Sequence, residues 1–269
     1  MYQHEDRIKV MSEIENFTRS INGIQGLLLV GSGSTGFRDQ YSDLDLLVVV
    51  ENPENVVDIN EQIRGFLQSR FCVLKEKVYQ HEKDIFVTCF FFENYLELDL
   101  SVWSFNKLRA TKPNWIVVFD REGTISDKLN DSLNKLIHRD IDEAINNSLS
   151  FIWQFFRSAV VALKRGHLIK ALKDIDFIRN QIIELICLRN NINYDFDKSI
   201  DQIDSYHVNN LKNTYEVKMD YTSIKKVLFD VMNIYFDVMD IKESDVVEKN
   251  RRMIHKFLED ELILNDLMS

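Results

Sequence analysis

At 269 residues, with 45% hydrophobic and 28% charged side chains, the chain is long enough for one large or two ordinary domains and too apolar for a disordered polymer. Its net charge of −10, from 43 acidic and 33 basic residues, argues against general nucleic-acid binding, which wants a basic face, and suits a cationic small-molecule partner. No apolar run approaches the roughly 20 residues that span a bilayer, and the polar stretch from Met1 to Glu15 shows no signal peptide, so a cytoplasmic protein without a membrane partner is expected. The three cysteines, Cys72, Cys89 and Cys187, are scattered in apolar or strand-like surroundings and read as reduced core or near-core thiols.

In chain order, the polar start opens a predicted helix over 4–20. An apolar strand over 26–31 ends in Gly31-Ser32-Gly33-Ser34-Thr35-Gly36, a turn whose backbone N–H groups and small hydroxyls suit a phosphate. The next strand, 44–50, is entered through Ser42-Asp43-Leu44-Asp45-Leu46. Residues i and i+2 of a strand share a face, so Asp43 and Asp45 project side by side. Two such carboxylates repel, and a divalent cation between them relieves the repulsion. A helix follows near 55–69, opened by the Pro53/Asn55 region, and then strand-like runs at 71–79, 85–93, 95–103 and 115–119, with a hairpin turn at Glu93-Asn94. In Tyr95-Leu96-Glu97-Leu98-Asp99-Leu100-Ser101 leucines alternate with polar residues, which puts Glu97, Asp99 and Ser101 on one face. Strand pairing could bring that face beside Asp43 and Asp45; an exposed edge strand would carry the same alternation.

The texture then changes. Seven of the eight glycines and both prolines lie before Asp127, and the rest of the chain shows long helical periodicity, so a boundary is expected near 124–135. Apolar stripes at Ile152, Phe155, Phe156, Ala159, Val160 and Leu163, at Ile175, Ile178, Ile182, Leu185 and Ile186, and at Val227, Val231, Ile234 and Val238 predict a helical bundle. The fold class is therefore α+β: a small mixed sheet with flanking helices over 1–126, then a helical domain over 127–269. Trp103, Trp115 and Trp153 read as core packing.

The run Gly31-Ser32, ten residues, then Asp43-Leu44-Asp45 resembles the signature of the polymerase β-like nucleotidyltransferase superfamily, in which a later strand carries a third Asp. Gly36 and the Tyr41-Ser42 lead-in resemble its antibiotic-modifying branch, the aminoglycoside and lincosamide nucleotidyltransferases. The likeness covers 27–50 well and extends to Leu96–Leu100, while the helical half is similar only in type. It implies a catalytic domain over 1–126 and a helical domain over 127–269 that closes over nucleotide and acceptor. It implies that Gly31 and Ser32 hold the triphosphate and that Asp43 and Asp45 bind metal. Asp99, in its Leu-Asp-Leu setting, becomes the third carboxylate, a metal ligand or the general base, with Glu97 its rival. Arg38 before the carboxylate pair, and Lys164, Lys170 and Arg179 in the helical half, become candidate nucleotide contacts; their plain alternative is a solvated surface.

The implied reaction moves a nucleoside monophosphate from an NTP, ATP foremost, to a hydroxyl of a small molecule such as an aminoglycoside or lincosamide. It would use two Mg²⁺ ions and release pyrophosphate. Two other readings stand beside it. The helical half counts against AMP transfer to a protein by a minimal antitoxin-type enzyme, and the intact Asp43/Asp45 pair counts against a non-catalytic nucleotide- or partner-binding module. A homodimer is left open.

Overall fold

The computed structural model describes residues 2–37, 39–136, 141–192, 194, 197–239 and 244–264. The chain forms two compact units, Met1–His138 and Arg139–Ser269.

The first unit is built on a six-stranded sheet. Its elements run α1 (His4–Ser20), β1 (Ile24–Leu29), β2 (Leu44–Val50), α2 (Val56–Arg70), β3 (Val73–Glu82), β4 (Ile85–Phe92), β5 (Glu97–Ser104), β6 (Ile116–Asp120) and α3 (Ile125–Leu136). The strand order is β3-β4-β5-β2-β1-β6. The central β2–β5 pair is parallel and the other neighbours are antiparallel. β5 is thus an interior strand, which removes the edge-strand reading of its alternating acids.

Alternation decides which face each side chain takes. Leu44, Leu46, Val48 and Val50 of β2 pack with Leu98, Leu100 and Val102 of β5 against Val10 and Ile14 of α1 and Ile59, Ile63 and Leu67 of α2. On the opposite face Leu47 and Val49 join Leu28, Leu108, Ile125 and Leu129 in a smaller apolar cluster. Asp45 and Asp99 belong to that second face, one step beyond where its apolar cover ends. β1 stops at Leu29, two residues short of the expected strand, because the chain turns at Gly31 with φ +59 into a 3-10 turn over Gly31–Thr35.

The second unit comprises α4 (Ile141–Lys164), α5 (Leu168–Arg189), α6 (Tyr206–Asn213), α7 (Tyr221–Met239) and α8 (Asp245–Glu259). The three apolar stripes meet in one core, with Phe155 at its margin. One polar pair inside it, the Ser148 and Tyr235 hydroxyls, is 2.8 Å apart and mutually satisfied. Among the described residues no helix is long and apolar enough to cross a membrane.

Two single-residue expectations need correction. Cys72 is exposed rather than near-core, since it sits in the link between α2 and β3. Trp153 is 43% exposed, with its indole N–H donating to the Ser150 carbonyl at 3.2 Å, because it falls off the apolar stripe of α4.

Gly26 shows how tightly α3 closes on the sheet. A Cβ there would meet Ile125 Cδ1 at 2.3 Å and the Phe119 carbonyl oxygen at 2.6 Å. Gly26→Ala is expected to cost about 1–3 kcal/mol by overpacking, whereas Gly65→Ala, in α2 with no atom within 4 Å of the new Cβ, should gain about 0.5–1 kcal/mol. Urea unfolding of the two variants measures both signs; a neutral Gly26→Ala would show that α3 does not pack against β1 as described.

Candidate active site

The site begins at the β1–β2 connection. The Val30 N–H donates to the Asp45 carbonyl at 3.0 Å and so ties the start of the turn to β2. Gly31 then passes directly against the Asp45 side chain: a Cβ on Gly31 would lie 1.8 Å from Asp45 Oδ2. Only glycine satisfies both this approach and the left-handed backbone. The turn closes on itself through Ser34 Oγ to the Gly31 carbonyl (2.7 Å) and the Phe37 N–H to the Ser32 carbonyl (3.0 Å). Ser32 Oγ is buried with no partner in the structure.

The carboxylates come from two strands. In the parallel ladder Asp45 stands opposite Asp99, and Asp43 lies just before β2. One oxygen from each of Asp43, Asp45 and Asp99 falls within 4.8 Å of the others, and all three residues are half-buried. Asp99 Oδ1 is buried and has no hydrogen-bond partner. Three hard oxygen donors converging at partial burial are costly without positive charge, and they match what a hard divalent cation takes. The residues therefore fit a metal of that class.

Neighbours of the triad register its charge. Cys89 of β4 pairs with Asp99 across the antiparallel ladder. Burial first, then a hydrogen bond to Asp99 and the charges of Asp99, Glu97 and Asp45, push its thiol up to about 12. Glu97, exposed at the start of β5, has its carboxyl raised by local desolvation first and by Asp99 and Asp43 next.

The other expected contacts are dispersed. Arg38 lies outside the described residues. Lys164, Lys170 and Arg179 belong to the helical unit. Lys164 donates to the Glu261 carbonyl at 2.7 Å, and Lys170 pairs with Asp174 and donates to Ser158 Oγ at 3.1 Å. Arg179 is 2% exposed. It donates to Thr214 Oγ1 at 3.0 Å, to the Thr214 carbonyl and to Asp176 at 2.6 Å, and stacks 4.2 Å from the Tyr215 ring centroid. That guanidinium is committed to the helical unit's own fold.

Sequence reasoning passed over Cys89, Tyr2 and Arg7. Cys89 needs the β4–β5 register to be placed. Arg7 did leave a signal, since it occupies the buried stripe of α1 that continues with Val10 and Ile14.

A family model described as streptomycin adenylyltransferase matches residues 5–261. No curated protein matches the chain in sequence. Among solved structures, the chain is similar to an aminoglycoside 6-adenyltransferase from Bacillus subtilis, at 14% identity and TM-score 0.40, covering 96% of this chain and 98% of that one. It is also similar to a nucleotidyltransferase-like protein from Exiguobacterium sibiricum, at 15% identity and TM-score 0.43, covering 97% of this chain and 92% of that one.

Because the Glu97 carboxyl is raised in the fold, the folded protein holds its proton to higher pH than the unfolded chain. Stability is then lost as pH rises through the ordinary carboxylate range and the raised value above it. In chelator, Glu97→Gln should be more stable than wild type at pH 7, and the advantage should fade as pH drops through the carboxylate range. Urea unfolding across pH measures this; an advantage independent of pH would contradict it.

Proposed function

The chain belongs to the streptomycin adenylyltransferase family, and from that membership we propose that it transfers adenylate from ATP to a hydroxyl of an aminoglycoside antibiotic. It is a nucleotidyltransferase, and the observation that carries the finer reading is the convergence of Asp43, Asp45 and Asp99 beside the Gly31–Thr35 turn. The acidic balance of the chain favours a cationic acceptor of this kind.

Asp43, Asp45 and Asp99 are the residues that would hold Mg²⁺, which when bound would neutralise triphosphate charge and ease ionisation of the acceptor hydroxyl. Gly31 and Ser32 bind the phosphate chain, the first by leaving its backbone open to close approach and the second through its unpartnered hydroxyl. Glu97, on the same strand face as Asp99 and more exposed, takes the acceptor's proton. The acceptor oxygen bonds to the α-phosphorus as the bond to the bridging oxygen breaks, and pyrophosphate leaves. Asp99 stays with the carboxylate cluster. Lys164 and Lys170 are the helical-unit cations proposed to meet the nucleotide; the Lys164 pair with Glu261 is partly exposed and cheap to exchange, whereas Lys170 also neutralises the buried Asp174. Arg179 is not carried forward, because its donors are already used inside the helical core.

The test is acceptor-dependent pyrophosphate release with each of the four NTPs and a panel of aminoglycosides and lincosamides. The expected result is turnover with ATP and an aminoglycoside, abolished by chelator and lowered about a hundredfold or more in Asp43→Asn and Asp45→Asn. Turnover with a lincosamide alone would move the acceptor class. ATP binding without any acceptor-dependent release would contradict small-molecule transfer and favour a protein acceptor.

A further inference from the structure

Of the three clustered carboxylates, Asp45 and Asp99 sit in paired strands, but Asp43 lies outside β2. Its position is therefore set by the connection that runs from the glycine turn into the strand. Side chains near the N-terminus grip that connection at several points. One terminal nitrogen of Arg7 donates to the Ser42 carbonyl at 2.6 Å and to the Asp39 carbonyl at 3.2 Å, and the other donates to Asp39 at 3.3 Å. The Tyr2 hydroxyl donates to the same Ser42 carbonyl at 3.0 Å. The guanidinium also stacks 4.4 Å from the centroid of Phe37, which has φ +54 and whose N–H bonds back to Ser32.

Arg7 is 3% exposed, makes no ion pair among the described residues, and buries an unpartnered Nε. A buried charge spent on carbonyls is a weak way to gain stability compared with an apolar side chain of similar size. What it does supply is geometry, because a rigid planar fork fixes the directions of its donors toward the Asp39 and Ser42 carbonyls, whereas the donors of an ammonium rotate on a flexible stem. Asp43 needs such support, since repulsion from Asp45 and Asp99 would otherwise push the free end of the loop outward. We propose that Arg7, assisted by Tyr2, is a positioning residue that sets Asp43 against Asp45 and Asp99 and couples the Gly31–Thr35 turn to the carboxylates. The proposal rests on the reading of those three residues as the metal-holding centre.

The test measures Mn²⁺ affinity by electron paramagnetic resonance without nucleotide, together with kcat, acceptor KM and the thermal midpoint. The proteins compared are wild type, Asp43→Asn, Arg7→Gln, Arg7→Lys and Tyr2→Phe. Arg7→Gln is expected to weaken Mn²⁺ binding by about 10- to 100-fold and to lower kcat by a similar factor, with acceptor KM unchanged. Arg7→Lys should not rescue it, and Tyr2→Phe should show a smaller loss of the same kind. Should Arg7→Gln fail to fold, Tyr2→Phe, which removes one hydroxyl, decides the matter. Wild-type Mn²⁺ affinity in the folded Arg7 and Tyr2 variants, alongside a defective Asp43→Asn, would overturn this proposal alone. A wild type that binds no Mn²⁺ would overturn the metal-centre reading and this proposal with it.

Discussion

Asp45 and Asp99 face each other across a parallel ladder, and the rest of the first unit is arranged to keep these two like charges together. Carboxylates directly opposite on neighbouring strands destabilise a sheet. What opposes their separation lies on the other side of the same strands, where Leu44, Leu46, Leu98 and Leu100 are fully buried against the helices. Slipping either strand by one residue would drive its carboxylate into that core and its leucines onto the opposite face. The apolar face thus holds a polar arrangement that would not assemble alone, a familiar exchange of stability for function.

The same economy appears at Gly31. The β1–β2 connection could only pass this close to Asp45 by giving up a side chain, and the result brings backbone, the Ser32 hydroxyl and three carboxylates to one end of the sheet. Apolar cover on that face stops with Leu47, so the carboxylates stay half-buried. The helical unit is organised on other terms, with Arg179 pinning α5 to Thr214 at the end of α6 and three apolar stripes closing its core.

Much of this was legible in the residues. Leucine–acid alternation from Leu96 to Ser101 reports a strand with one buried face, and Asp43-Leu44-Asp45 reports a shared face for its acids, because both signals are local and have the period of the element. The glycine turn was legible as a turn, but the reason for Gly31 in particular, its approach to Asp45, is a tertiary fact. Residues placed by pairing register or by packing were not readable: Cys89 opposite Asp99 depends on how β4 aligns with β5, and Arg7 beneath Ser42 depends on where α1 crosses the connection. Burial of Arg179 was equally hidden, since a lone basic residue between apolar positions reads as a surface contact until Thr214 and Tyr215 are brought to it. The change of texture at Asp127 suggested a boundary near 124–135, yet Ile125 and Leu129 bury α3 against the sheet of the first unit.

Thermal unfolding of wild type and Asp99→Asn, each in chelator and in excess Mg²⁺, shows whether the Asp43, Asp45 and Asp99 carboxylates repel one another in the fold and are held there for a divalent cation. In chelator Asp99→Asn should melt above wild type, and Mg²⁺ should raise the wild-type midpoint while leaving the variant nearly unmoved. A variant that melts below wild type in chelator and still gains the full Mg²⁺ shift would contradict it.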